Sequence, residues 1–148
     1  MRSRSILVFA VLLVVAAPAF AARPTGDAKY RGTTSQDRKL SARVTSDTKG
    51  LQLEFDEVFR CNRGPTKHTH AVYKKQRPTI REDGTFDYRK TYRGLAPVRG
   101  FEKRDETQHV FGSFGSGGRT LKGTAETKVT GVSGLRCTSR VTFRARRI

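Results

Sequence analysis

From Tyr30 to the C terminus, apolar and polar residues alternate with a period of two in one segment after another, and no window of eleven residues carries the i, i+3, i+4, i+7 spacing of an amphipathic helix. Leu40, Ala42 and Val44 alternate with Lys39, Ser41, Arg43 and Thr45. A turn at Asp47-Thr48-Lys49-Gly50 then leads to Leu51, Leu53, Phe55, Phe59 and Cys61 on a single parity. Glu57 alone breaks that face, which calls for either a bulge or a buried functional carboxylate. The Asp83-Gly84 pair marks a second turn, followed by a strand with Phe86, Tyr88 and Tyr92 on one side. Val110, Gly112 and Phe114 run into Gly115-Ser116-Gly117-Gly118, where the chain can reverse into a strand from Leu121 to Val129. The last strand is the most amphipathic, with Val141, Phe143 and Ala145 between Arg140, Thr142, Arg144 and Arg146. About eight strands with turn signals every 8 to 14 residues predict an all-β domain, an antiparallel β-sandwich or a flattened barrel.

The N terminus has a different pattern. Arg2 and Arg4 precede twelve uninterrupted apolar residues from Ile6 to Ala17, then Pro18 and Ala19-Phe20-Ala21. Twelve residues of helix span only about 18 Å, too short for a hydrocarbon core of about 30 Å, and small residues at Ala19 and Ala21 suit a signal peptidase. Residues 1–21 therefore read as a secretory signal peptide, the rival being an uncleaved anchor that runs on to Ala22. Residues 22–29 read as a flexible lead-in and residues 30–148 as the β domain. Export changes the meaning of Cys61 and Cys137, the two thiols of the chain: in an oxidising compartment they are expected to be joined, linking the third strand to a segment just before the last.

Composition adds one strong bias. The 148 residues hold 30 Lys+Arg against 13 Asp+Glu, a net charge of +17 that falls to +15 when Arg2 and Arg4 leave with the signal peptide. With 35% hydrophobic and 29% charged residues, a partly unstructured basic chain is the alternative to any fold. Residues 119–148 carry eight basic groups and one acid, Glu126. In a strand, Arg140, Arg144 and Arg146 share one face, on which adjacent same-face positions are about 6.5–7 Å apart, a row suited to a polyanion; Arg147 completes the anion-binding candidates. Exposed Tyr73, Tyr88 or Tyr92 would add stacking on bases, although their parity also suits a core. The expected partner is an anionic envelope polymer or polysaccharide, with nucleic acid as a further polyanion; the competing reading is a solvated face that keeps a secreted protein soluble.

Catalytic patterns are sparse. His68-Thr69-His70 puts two imidazoles on one face of a strand, and convergence of His109 would make zinc or copper chemistry feasible; these three define the alternative of a small metal-dependent enzyme. Against it, Lys67, Lys74, Lys75 and Arg77 would repel a cation. Gly131-Val-Ser133-Gly134-Leu lacks the spacing of a nucleophile elbow, and Gly112 to Arg119 lacks the Lys-Ser/Thr end of a phosphate loop. The reading is a secreted, monomeric, non-enzymatic β domain without cofactor. A third option, an inhibitor or effector of another secreted protein, would need an exposed aromatic anchor.

Tyr30-Arg-Gly-Thr-Thr-Ser-Gln36 after a signal peptide, Cys61, Asp83-Gly84-Thr85-Phe86, Val110-Phe-Gly112, Gly123-Thr124, Cys137 and the closing Phe143-Arg-Ala-Arg-Arg147 together resemble a group of small exported single-domain bacterial β proteins for which no activity is established. Relatives of this kind often carry Trp where Phe143 stands. The resemblance implies a secreted sandwich and brings no catalytic residue with it.

Overall fold

A computed structural model describes residues 23–73, 78–98 and 101–148. The segment read as a signal peptide, residues 1–21, lies outside them. Eight strands follow in chain order: β1 (Lys29–Thr34), β2 (Lys39–Val44), β3 (Leu51–Cys61), β4 (Lys67–Tyr73), β5 (Thr85–Leu95), β6 (Arg104–Gly115), β7 (Thr120–Gly131) and β8 (Arg136–Arg147). Every pairing is antiparallel and there is no helix among the described residues, as the alternation predicts.

One curled sheet, not two stacked ones, carries all eight strands in the order β4-β3-β2-β1-β8-β7-β6-β5. Its shape follows from how long β3 and β8 are. The first half of β3 pairs with β2 and the second half of β8 with β1, but Arg60 and Cys61 pair directly with Thr138 and Cys137. The β1–β2 hairpin is thus a wedge inserted where β3 and β8 part, and the sheet must coil around it. At the other side Pro78–Arg81 stitches β3 to β5. Leu51 N–H donates to the Pro78 carbonyl at 3.0 Å, Ile80 N–H to Lys49 at 2.8 Å and Arg81 N–H to Thr85 at 2.8 Å. Inside the curl, Tyr73 of edge strand β4 meets Tyr88 of edge strand β5 edge-on, with ring centroids 6.5 Å apart. The result is barrel-like.

Coiling brings backbones close together at Gly32. A Cβ there would sit 1.9 Å from the Arg144 carbonyl oxygen, so any side chain would push β1 off β8. At the far end of β6, Ser116, Gly117 and Gly118 take φ of 50°, 65° and 78°, and this left-handed run is what turns β6 into β7. The hydroxyl of buried Tyr30 donates to the Gly118 carbonyl at 2.5 Å, and Pro24 packs beneath Gly118. Within the segment read as a lead-in, Pro24 and Ala28 are buried, whereas Thr25 and Asp27 are exposed.

Two apolar clusters fill the interior. The larger holds Tyr30, Phe55, Phe86, Phe114, Val141 and Phe143 among others; the smaller holds Phe59, Phe101, Val129, Leu135 and Cys137. Cys61 and Cys137 form the disulfide, with Cα atoms 4.0 Å apart. Cys137 is the second residue of the last strand and not part of a segment preceding it, a difference that arises because β8 begins two residues after the tight turn at Ser133-Gly134.

Candidate functional site

Strand β8 divides its residues as the alternation requires. Val141, Phe143 and Ala145 are buried, while Arg140, Thr142, Arg144 and Arg146 are exposed on the outer face. The four arginines proposed as one anion site nevertheless separate. Arg140 is engaged by a carboxylate, with Glu126 Oε1 3.2 Å from its guanidinium. Arg147 belongs to the inward parity and stands opposite Tyr30 at the rim of the barrel; its charge favours the tyrosinate, although burial dominates and raises the Tyr30 hydroxyl. Arg144 and Arg146 remain together.

Two cations that the sequence pattern left unassigned join them. Arg31 of β1 lies directly across from Arg146, and Lys122 of β7 directly across from Arg144. These four line an open groove of about 620 Å³ with Gly32, Thr120, Leu121 and Ala145, and no carboxylate is among the lining residues. None of the four forms a salt bridge among the described residues. Opposed like charges on a sheet are destabilising. The fold thus holds two such pairs without an internal counterion.

The histidines do not converge. His68 and His70 face outward on β4, as spacing predicts, but His70 is held between Asp56 (2.7 Å from Nδ1) and Glu54 (3.0 Å from Nε2). These two hydrogen bonds raise its pKa above the ordinary imidazole range. His109 lies on β6, 3.0 Å from Asp87, with its ring tilted against Phe111 and centroids 4.6 Å apart. No group of three or more His, Cys, Asp or Glu among the described residues is arranged to hold a metal ion. Lys74, Lys75 and Arg77 lie outside the described residues. Ser133 sits in the β7–β8 turn, where its N–H and hydroxyl both donate to Glu102 and hold that carboxyl below its usual range.

Glu57 is the second unusual feature. The β3–β4 register runs without a shift from Leu53↔Tyr73 to Phe59↔Lys67, so no bulge turns this residue outward, and its side chain is 2% exposed. Of the two alternatives, a bulge or a buried carboxylate, the bulge is absent, and Glu57 points in among polar side chains. Thr127 and Ser139 are directly paired across β7 and β8, and both are buried. The Thr127 hydroxyl donates to Glu57 Oε1 at 3.4 Å, while Glu57 Oε2 and the nearby Ser139 and Tyr73 hydroxyls are buried without a hydrogen bond among the described residues. On each strand these residues fall between the two apolar clusters: Glu57 between Phe55 and Phe59, Thr127 between Ala125 and Val129, Ser139 between Cys137 and Val141. Burial pushes Glu57 up to about 7, the nearby Glu106 charge pushes the same way, and the three hydroxyls oppose the shift. Tyr88 and Tyr92 also keep the inward parity, their hydroxyls 2.9 Å apart, so they do not line the basic groove.

No family model, curated protein or solved structure matches the chain. The disulfide is consistent with an extracellular location. No helix among the described residues is long and apolar enough to cross a membrane.

Proposed function

We propose that this is an exported, non-enzymatic binding domain that associates with an anionic polymer or surface through the outer face of β7, β8 and β1. The observation that carries this reading is the groove lined by Arg31, Lys122, Arg144 and Arg146 without an acid. Some basic groups elsewhere on the surface meet carboxylates: Arg43 is 2.6 Å from Asp27, and Arg140 is 3.2 Å from Glu126. A surface that served only solubility has no reason to set like charges directly opposite one another, because interspersed signs cost less. A polyanion would supply the missing counterions. Contacts of this kind are salt-sensitive, since binding releases ions condensed on the polymer.

The test is chromatographic. Glutamine at Arg31, Lys122, Arg144 and Arg146 together is expected to shift elution from immobilised heparin and from isolated cell envelopes to clearly lower salt. Arg140→Gln, which removes a cation already engaged by Glu126, is expected to shift it far less. On double-stranded DNA each lost phosphate contact lowers the log-log salt slope by roughly 0.9. Unchanged elution of the fourfold variant would overturn the proposal.

A further inference from the structure

The groove has a repeat as well as a sign of charge. Partners across antiparallel strands place their Cβ atoms about 4.5–5.5 Å apart, and same-face neighbours along a strand are about 6.5–7 Å apart. Arg146 with Arg31 makes one cation pair and Arg144 with Lys122 the next, one such step along β8. Each pair is narrow enough to share one oxyanion. Hydroxyl donors extend both rows: Thr120 stands opposite Arg146, Ser41 opposite Arg31, and Thr33 opposite Arg144. A phosphodiester turns two free oxygens out of a tetrahedral centre, one for each cation of a pair, and its chain continues through the ester oxygens toward the next unit. Guanidinium forks and hydroxyls are the groups that hold phosphate oxygens. No aromatic ring is among the lining residues, so the groove offers no platform on which a base could stack.

We infer that the groove seats two consecutive phosphodiesters of one linear polymer lying along β8, held through its backbone alone. This rests on the anion-binding reading and narrows it to a substrate class. Two sources share the chemistry, a nucleic-acid strand and a glycerol-phosphate polymer of a cell envelope. Each row takes one unit: Arg31 and Arg146 with Thr120, then Arg144 and Lys122 with Thr33.

Fluorescence anisotropy of the full exported domain tests this with four probes of matched charge number: an abasic deoxyribose-phosphate oligomer, oligothymidine, poly(glycerol phosphate) and polyglutamate. The abasic oligomer is expected to bind as tightly as oligothymidine, and polyglutamate about tenfold more weakly. Between roughly 50 and 200 mM salt, R31Q/R146Q and K122Q/R144Q are each expected to lower the slope for the single-stranded oligomers by about 0.7, with thermal melting unchanged or raised, since each variant removes an opposed pair of like charges. Stronger binding of poly(glycerol phosphate) than of either oligomer supports the inference with an envelope source, and the reverse order supports it with a nucleic-acid source. Oligothymidine binding much more tightly than the abasic chain overturns the backbone-only seat. Polyglutamate binding as tightly as the phosphodiesters overturns the substrate class while leaving the anion-binding reading intact. Failure of all four probes removes both.

Discussion

Replacing Cys61 and Cys137 together with alanine lowers the stability of the domain by about 4.5 kcal/mol, the loop-closure entropy of a bridge spanning 76 residues. The position of the bridge makes the loss structural as well as entropic. Strands β3 and β8 pair with each other only at Arg60↔Thr138 and Cys61↔Cys137, and beyond that point the β1–β2 hairpin lies between them. The bridge closes the fork of the sheet beside the smaller apolar cluster, which has few residues to hold that end without it. Alanine is the appropriate replacement because Cys137 is buried, and a serine hydroxyl there would need a partner. Guanidinium unfolding followed by circular dichroism measures the change. The wild type should lose a similar amount on adding reductant, whereas the double variant should be indifferent to reductant. An unchanged midpoint in the variant would show that the bridge constrains nothing the fold does not already constrain.

A second large effect comes from Glu57. The carboxyl titrates near 4.5 in the unfolded chain and near 7 in the folded one, so the fold prefers the protonated acid. Its contribution is whole below about pH 4.5, declines as pH rises, and is lost once pH passes about 7. The shift corresponds to about 3 kcal/mol across that window. Glu57→Gln keeps the shape and removes the proton. The stability difference between variant and wild type should therefore move in favour of the variant by about 3 kcal/mol from pH 4.5 to pH 8. Taking the difference cancels the other titrating groups, including His70, whose raised pKa also shapes the wild-type curve. Denaturant midpoints of both proteins at six or more pH values give the curve. A flat difference would mean that Glu57 is not buried as an acid between Thr127 and Ser139.

Parity was the most legible feature of this chain. The inward set Leu51, Leu53, Phe55 and Phe59, and the set Val141, Phe143 and Ala145, are all buried where alternation puts them. The turns at Asp83-Gly84 and Gly115–Gly118 fall where glycine stands. Partnership was not legible. Arg140 reads as the equal of Arg144 until β7 is laid beside β8 and Glu126 comes opposite it. Arg31 and Lys122 lie 91 residues apart in the chain, and nothing local marks them as lining one groove. Glu57 was visible as the residue that breaks its face, but Thr127 and Ser139, each an unremarkable polar position in its own strand, explain it only once the two are paired across β7 and β8.

The difference is one of range. A strand turns successive side chains to opposite faces through its own backbone geometry, so six or seven residues are enough to state which of them go inward, and the sequence alone determined the all-β class, the core-facing parities and the availability of two thiols for one bridge. Which residue stands across from which depends on register and strand order, set by how the whole sheet curls to bury those inward faces around the β1–β2 wedge. The tertiary structure alone therefore decided that four cations share a groove, that Arg140 is neutralised, and that a carboxyl is held among hydroxyls between two apolar clusters.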